Sequence, residues 1–294
     1  MTDKMELNKK NRIKLMKNIM KCNGDYRLFC IDVDDVVFDT DTVMQEILDE
    51  YELEDSRLKA TKAFRAEISN ETSEDSQIEI NKSFAMLDAI LEETEFEYEV
   101  EELNGSKDKK KVKFKPINYE KVYLNENLFP NAIDNINYMI KNKRENDFFI
   151  FLSHRNPVQE GIIKTKKLYE LVPNIDYVFT LPYHIEFGSK EVNSKGRILK
   201  QHLGLDCLEN CYLIDNSRSN CLDFRAKGGL DIRYLPKGYE TSHKFSDHMA
   251  KITNLDPYMI QFAIAYIRYV KSHPEEKFEE NIQEFKKVKS KNRK

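Results

Sequence analysis

No charge of one sign dominates the 294-residue chain, in which 47 Lys and Arg residues face 51 Asp and Glu for a formal net charge of −4. That balance gives no overall attraction to nucleic acid, although it leaves room for a local patch. Long hydrophobic runs are missing too. The longest, Met259 to Val270, is broken by Gln261 and Arg268 and is too short to span a bilayer, so it is expected as a buried or interface helix with no membrane partner. The N-terminal stretch MTDKMELNKKNRIKLMKNIMK spreads lysines among its apolar residues instead of building the apolar core of a secretory leader. A cytoplasmic protein is the expectation. Paired cysteines are absent: Cys22, Cys30, Cys207, Cys211 and Cys221 are odd in number and lack C-x-x-C spacing, so reduced, buried thiols are expected rather than a disulfide framework. No internal repeat is visible.

What is present suits a soluble enzyme. With 40% hydrophobic and 33% charged residues the chain can bury a large core, and its length predicts one full domain plus an inserted or smaller second unit. Short apolar runs at Leu28 to Ile31, Phe148 to Leu152, Tyr177 to Phe179, Tyr212 to Ile214 and Ile232 to Leu235 predict buried strands. Amphipathic segments lie between them. Ile133, Ile136 and Ile140 mark one helix behind Pro130. Ile198, Leu199 and Leu203 mark a second that stops at Gly204, and Leu222 with Ala226 a third that ends at Gly228-Gly229. Alternating strand and helix predicts an α/β fold built on a doubly wound parallel sheet.

Residues 41 to 116 read differently. Val43, Ile47 and Leu48 mark one helix, Phe84, Leu87, Ile90 and Leu91 another, and a β-hairpin follows. Phe96, Tyr98 and Val100 alternate with Glu95, Glu97, Glu99 and Glu101, while Val112 and Phe114 alternate with Lys111, Lys113 and Lys115, with Asn104-Gly105 opening the turn. Antiparallel pairing would set the acidic row across from the basic one. The predicted organisation is an N-terminal helix at 1–26, a core at 27–40 and 117–240, a mainly helical inserted cap with a hairpin at 41–116, and a helical C-terminal extension at 241–294. Its last helical segment opens at Asp256-Pro257, a cap and first-turn pair, and the chain ends in the basic tail KKVKSKNRK, expected as a solvated terminus.

Three predicted strands run directly into polar residues. The first enters Asp32, Asp34 and Asp35, and carboxylates two apart at a strand end repel one another unless a divalent cation, which prefers hard oxygen ligands, offsets the charge. The second enters Ser153-His154-Arg155, a hydroxyl and a guanidinium that both suit phosphate. The third enters Asp215-Asn216. Lys195 opens the helix leading to that third strand and could neutralise a phosphoryl group, with Lys190 as the alternative. The C-terminal edge of a parallel sheet is where ligands bind.

Through Asp32-Val33-Asp34, Ser153, Lys195 and Asp215-Asn216, in that order, the sequence resembles the haloacid-dehalogenase-like (HAD) superfamily of phosphohydrolases. The resemblance covers about residues 27 to 40 and 128 to 236, and Gly228-Gly229 with the strand after it fits the same pattern. It implies a Rossmann-like core and a Mg²⁺-dependent phosphomonoesterase. Asp32 would be the nucleophile that forms an aspartyl-phosphate, and Asp34 the acid and base. Asp32, the backbone carbonyl of Asp34 and Asp215 would hold Mg²⁺, while Ser153 and Lys195 would bind the transferring phosphoryl group. Many members carry a second acid where this chain has Asn216, and Asp223 reads as a surface or capping residue. The Ser-x-Arg pattern looks like nucleotide-directed branches, the 5'-nucleotidases and the 3'-phosphatase domain of polynucleotide kinases, which assigns Arg155 to substrate phosphate or to an acid in the site. Nucleoside monophosphates are then the expected substrates. Phosphorylated nucleic-acid ends are the alternative, and a phosphate-binding scaffold with weak turnover is another. His184, His202, His243, His248 and His273 have no metal-ligand spacing and are expected as packing or surface residues.

Overall fold

The computed structural model describes residues 3–40, 42–43, 46, 95–101, 107–113, 119–154, 158–181, 194–235 and 250–273. The expected helix around Phe84 to Leu91 lies outside the described residues. In chain order the elements are α1 (Asp3–Lys21), β1 (Arg27–Ile31), β2 (Glu95–Glu101), β3 (Lys107–Lys113), α2 (Tyr119–Val122), α3 (Ala132–Lys141), β4 (Asp147–His154), α4 (Val158–Leu171), β5 (Tyr177–Leu181), α5 (Lys195–Leu203), β6 (Cys211–Asp215), α6 (Arg218–Ala226), β7 (Leu230–Tyr234), β8 (Ala250–Ile252) and α7 (Pro257–Ser272). The chain divides into two units, Met1–Asp39 with Asn125–Lys294, and Thr40–Leu124.

In the first unit, six parallel strands form one sheet in the order β5-β4-β1-β6-β7-β8. The chain winds outward from β1 through β4 to β5, returns to the other side of β1 at β6, and winds outward again. That reversal makes the fold doubly wound, and the crevice beside β1 at the carboxyl ends of the strands is its topological switch point. Strands of such a sheet are covered on both faces, so their sequences are apolar at nearly every position instead of alternating. On one face Leu28, Cys30, Phe148, Ile150, Leu152 and Leu213 share a core cluster with Leu15 and Ile19 of α1, Leu199 and Leu203 of α5, and Phe224 of α6. On the other, Phe29 stacks on Phe149 with ring centroids 4.6 Å apart and on Tyr212 at 5.1 Å. The Tyr212 hydroxyl accepts from Nε of Arg268, on α7, at 2.9 Å.

Several boundaries differ from the sequence-based expectation. The last predicted strand begins two residues earlier, at Leu230, and β4 continues through Ser153, which therefore belongs to the sheet and not to a loop after it. The segment expected as a helical extension supplies β8, one of the sheet's two edge strands, before α7 starts at the predicted Asp256 cap. Helix α6 turns Cys221 and Phe224 inward and leaves Leu222 at the surface, so Leu222 does not mark its core face. Among the thiols, Cys207 is exposed and Cys22 half-buried, while Cys30, Cys211 and Cys221 are buried as expected.

The chain leaves the first unit after Asp39 and re-enters it at Asn125, and these two stems are paired within the first unit. The Asp39 amide donates to the Asn127 carbonyl at 2.6 Å, the Phe129 amide donates to the Val37 carbonyl at 2.9 Å, and Phe38 bridges Leu128 in antiparallel fashion. Within the second unit, β2 and β3 form the expected hairpin. Its register pairs Glu95 with Lys113, Glu97 with Lys111, Glu99 with Lys109 and Glu101 with Lys107.

Candidate active site

Beyond β1 the ladder extends one more step, because the Asp32 amide donates to the Ile214 carbonyl of β6 at 2.9 Å. Asp32 is thereby fixed beside the end of β6, where Asp215 completes that strand. The chain then turns sharply. The Val33 carbonyl accepts from the amides of Val37 at 2.9 Å and Phe38 at 3.1 Å, and Asp35 takes a left-handed φ of 58°, a conformation that Asp tolerates better than most residues. This turn carries Asp34 to the neighbouring strand β4, whose Ser153 hydroxyl donates to Asp34 Oδ2 at 3.1 Å.

Two buried lysines organise these carboxylates. Lys195 opens α5, whose N-cap Ser194 accepts from the Arg197 amide at 3.1 Å and donates to Asp223 Oδ2 at 2.5 Å. From that position its ammonium lies 2.8 Å from Asp32 Oδ1 and 2.6 Å from Asp215 Oδ2. Lys164 comes from α4 and lies 2.7 Å from Asp34 Oδ2, 2.9 Å from Ser153 Oγ and 3.1 Å from Glu160 Oε1. Each ammonium thus stands between two carboxylates. Burial pulls the pKa of each lysine down, but the adjacent carboxylates outweigh it and leave both above the ordinary value.

For Asp32 burial wins instead. Burial, reinforced by the charge of Asp215, pushes the Asp32 carboxyl up to about 8 against the pull of Lys195. Among the described residues, the two hydrogen bonds to its side chain, from Lys195 and from the Val33 amide at 2.9 Å, fall on Oδ1. Oδ2 is left as the oxygen open to a reacting group. Asp215 is tied down more completely, with Oδ1 accepting from the Ser217 amide at 2.8 Å and the Asn220 amide group reaching both carboxylate oxygens at 3.2 and 3.1 Å.

Of the residues singled out from the sequence, Asp32, Lys195 and Asp215 form one cluster, and Asp34 and Ser153 share another. Arg155 and the alternative Lys190 lie outside the described residues. Asp223, expected as a surface or capping residue, is half-buried and holds the Ser194 cap, so it supports the helix that presents Lys195. Sequence reasoning missed Lys164, Glu160 and Asn220. A Glu160–Lys164 pair at helical i, i+4 spacing shortly after Ser153 was the available signal, but such pairs usually lie on solvated helix faces.

Among the described residues no group of three or more His, Cys, Asp and Glu side chains assembles as a metal cluster. The arrangement does suit Mg²⁺, which is commonly held through only one or two carboxylates with waters and phosphate oxygens completing its shell. Asp32 and Asp215, on adjacent strand ends, are such a pair of hard oxygen donors, and their mutual repulsion is part of what raises the Asp32 pKa.

No protein-family model and no curated protein matches the chain. Solved structures do resemble it. A HAD-type hydrolase of Bacillus subtilis, bound to magnesium, is 13% identical over 78% of this chain and 95% of its own, with a TM-score of 0.45. A HAD-superfamily hydrolase of Ehrlichia chaffeensis is 14% identical over 82% of this chain and 97% of its own, with a TM-score of 0.40. A HAD-family hydrolase of Deinococcus radiodurans with bound phosphate and sodium is 13% identical over 83% of this chain and 96% of its own, with a TM-score of 0.42.

Proposed function

We propose that the protein is a phosphomonoester hydrolase of the haloacid-dehalogenase-like type, with Asp32 as its nucleophile. The observation that carries this reading is the placement of Asp32 at the topological switch point, held on Oδ1 by Lys195 with Oδ2 open, beside Asp215 and two residues before Asp34. Attack of Oδ2 on phosphorus forms an aspartyl-phosphate and expels the alcohol, which divides one difficult hydrolysis into two easier steps. Asp34 gives its proton to the leaving oxygen and then takes one from the water that cleaves the acyl phosphate. Lys195 and Ser153 bind the transferring phosphoryl oxygens, the Ser153 hydroxyl turning to them from Asp34 Oδ2, and stabilise the charge that spreads over them. Asp32, Asp215 and the Asp34 backbone carbonyl are the groups that would hold Mg²⁺, which when bound supplies positive charge against the repulsion between a phosphate dianion and the two carboxylates.

The substrate class proposed is the nucleoside monophosphates, on the strength of the Ser153-His154-Arg155 pattern, with Arg155 as a further phosphate contact. The unit at Thr40–Leu124 is proposed as a cap that selects among them. The test is release of inorganic phosphate, in Mg²⁺, from nucleoside monophosphates, sugar phosphates, phosphorylated oligonucleotides and p-nitrophenyl phosphate. Wild-type protein is expected to release phosphate and to stop when Mg²⁺ is chelated. Asp32→Asn, nearly the same shape without the nucleophile's charge, is expected to be folded and inactive. A folded Asp32→Asn variant that turns over normally would overturn the covalent mechanism.

A further inference from the structure

We infer that Lys164 is a positioning residue for Asp34, fixing the orientation of its carboxyl group through Oδ2, and that Glu160 holds Lys164 for this purpose. The inference rests on the phosphatase reading above, to which it adds a residue that reading does not use.

Nothing in the fold requires an ammonium at this point. Lys164 sits in the sequence KTKK, whose other lysines are only half-buried, yet its own side chain is wholly removed from solvent. Burying an ammonium costs several kcal/mol unless its hydrogen bonds are all met, and an apolar residue of similar length would fill the same space at no such cost. The ammonium's contacts include Asp34 Oδ2 at 2.7 Å, Ser153 Oγ at 2.9 Å and Glu160 Oε1 at 3.1 Å. Those contacts fix its direction. Glu160 lies one helical turn earlier on α4 and is itself buried, so its charge, with that of Asp34, balances the ammonium.

The consequence falls on Asp34. Its Oδ2 accepts from the Lys164 ammonium at 2.7 Å, a charge-assisted contact that sets the plane and direction of the carboxyl group whether or not the Ser153 hydroxyl also points at it. A general acid gains most when its proton already points along the bond being broken, and a small misplacement can cost on the order of 10²-fold. Lys195 does the corresponding work for Asp32, so the site pairs one positioned nucleophile with one positioned acid, each held by its own buried lysine.

Leaving-group dependence tests this assignment. An alkyl phosphate such as glycerol phosphate expels a basic alkoxide that needs the acid, whereas p-nitrophenyl phosphate expels a stable phenolate that does not. Lys164→Met is expected to lose on the order of 10- to 100-fold in kcat/KM for the alkyl ester and less than about 3-fold for the nitrophenyl ester. Inhibition by inorganic phosphate is expected to be unchanged. Lys164→Arg should recover part of the alkyl-ester loss. If Lys164→Met does not fold, as judged by circular dichroism, Glu160→Gln carries the same test, with a smaller loss confined to the alkyl ester. Equal losses on both esters, together with weakened phosphate inhibition, would make Lys164 a phosphate ligand instead and overturn the inference. So would a folded variant with unchanged kinetics. A wild-type protein that hydrolyses neither ester would refute the phosphatase reading itself, an outcome distinct from either.

Discussion

Lys195 shows how the site depends on single buried charges. Its ammonium bridges two carboxylates 2.8 and 2.6 Å away, and removing one partner from such a cluster leaves like charges facing one another without solvent. Loss of a buried partner of this kind costs about 3–5 kcal/mol. Lys195→Ala is therefore expected to lower the urea midpoint strongly in excess chelator and to recover part of that loss when Mg²⁺ is added, since a cation at Asp32 and Asp215 replaces the missing charge. Its kcat/KM should fall on the order of 10²- to 10³-fold, the usual effect of deleting one preorganised donor, and by more than in Lys190→Ala. A variant that unfolds in urea like the wild type and keeps its activity would remove Lys195 from the site. At this scale the sequence was informative wherever a strand ran into a polar residue. Asp32, Asp34, Ser153 and Asp215 stand at strand ends, and only a special environment accounts for acids there. Lys164 and Asn220 were hidden because each sits within a helix, among residues that look like an ordinary solvated face. Their burial depends on how α4 and α6 pack, which local sequence does not encode.

At the scale of elements, α5 is anchored at both ends. Ser194 caps its start, Gly204 ends it with a φ of 65°, and the last turn docks on β5 and α1 through His202. The His202 ring stacks on Phe179 with centroids 3.9 Å apart, and its Nε2 lies 2.9 Å from the Tyr177 hydroxyl, which donates to it when the ring is neutral. Its backbone carbonyl accepts from the Arg12 guanidinium at 2.7 Å. Burial, together with the Arg12 charge, lowers the His202 pKa from 6.5 to about 4. Between those values the unfolded chain binds a proton that the folded chain refuses, so the contribution is complete above pH 6.5 and is lost as pH falls toward 4. Because the ring is only half-buried, solvent screening limits this to about 1 kcal/mol. His202→Phe, which keeps the stacking but cannot take up a proton, should show a urea midpoint that drops less between pH 7 and pH 5 than the wild type's; parallel curves would show that His202 is not held neutral. The elements themselves were legible to differing degrees. The runs at 28–31, 148–152 and 212–214 are apolar throughout because both faces of the sheet are covered. β8 is three residues long and is made a strand only by β7 beside it, so no local pattern announced it.

The organisation of the whole molecule places an 85-residue unit, Thr40–Leu124, between the strand that leads into Asp32 and the strand that contains Ser153. Chain connectivity makes this consequential. The unit departs at Thr40, six residues after Asp34, and the chain re-enters the first unit at Asn125, where Asp39 pairs with Asn127 and Val37 with Phe129. Those two hydrogen bonds hold the stems together, so the inserted unit can be altered with little effect on the paired core strands. Its hairpin sets Glu95, Glu97, Glu99 and Glu101 opposite Lys113, Lys111, Lys109 and Lys107 in register. If this unit closes over bound substrate, it contributes recognition and exclusion of water, while the chemistry stays with the residues at the strand ends. Replacing residues 95–115 by a short Gly/Ser linker should then leave hydrolysis of p-nitrophenyl phosphate nearly intact and shift the relative kcat/KM among natural esters by about 10-fold or more, the worth of one or two recognition contacts. A larger loss for nucleoside monophosphates than for phosphorylated oligonucleotides would support selection of a small nucleotide, and the reverse order would favour nucleic-acid ends. An unchanged ratio in a folded variant would show that the hairpin takes no part in choosing substrate. Loss of p-nitrophenyl phosphate hydrolysis in a variant whose core still folds would instead tie the hairpin to the chemical step and overturn the division of labour between the two units.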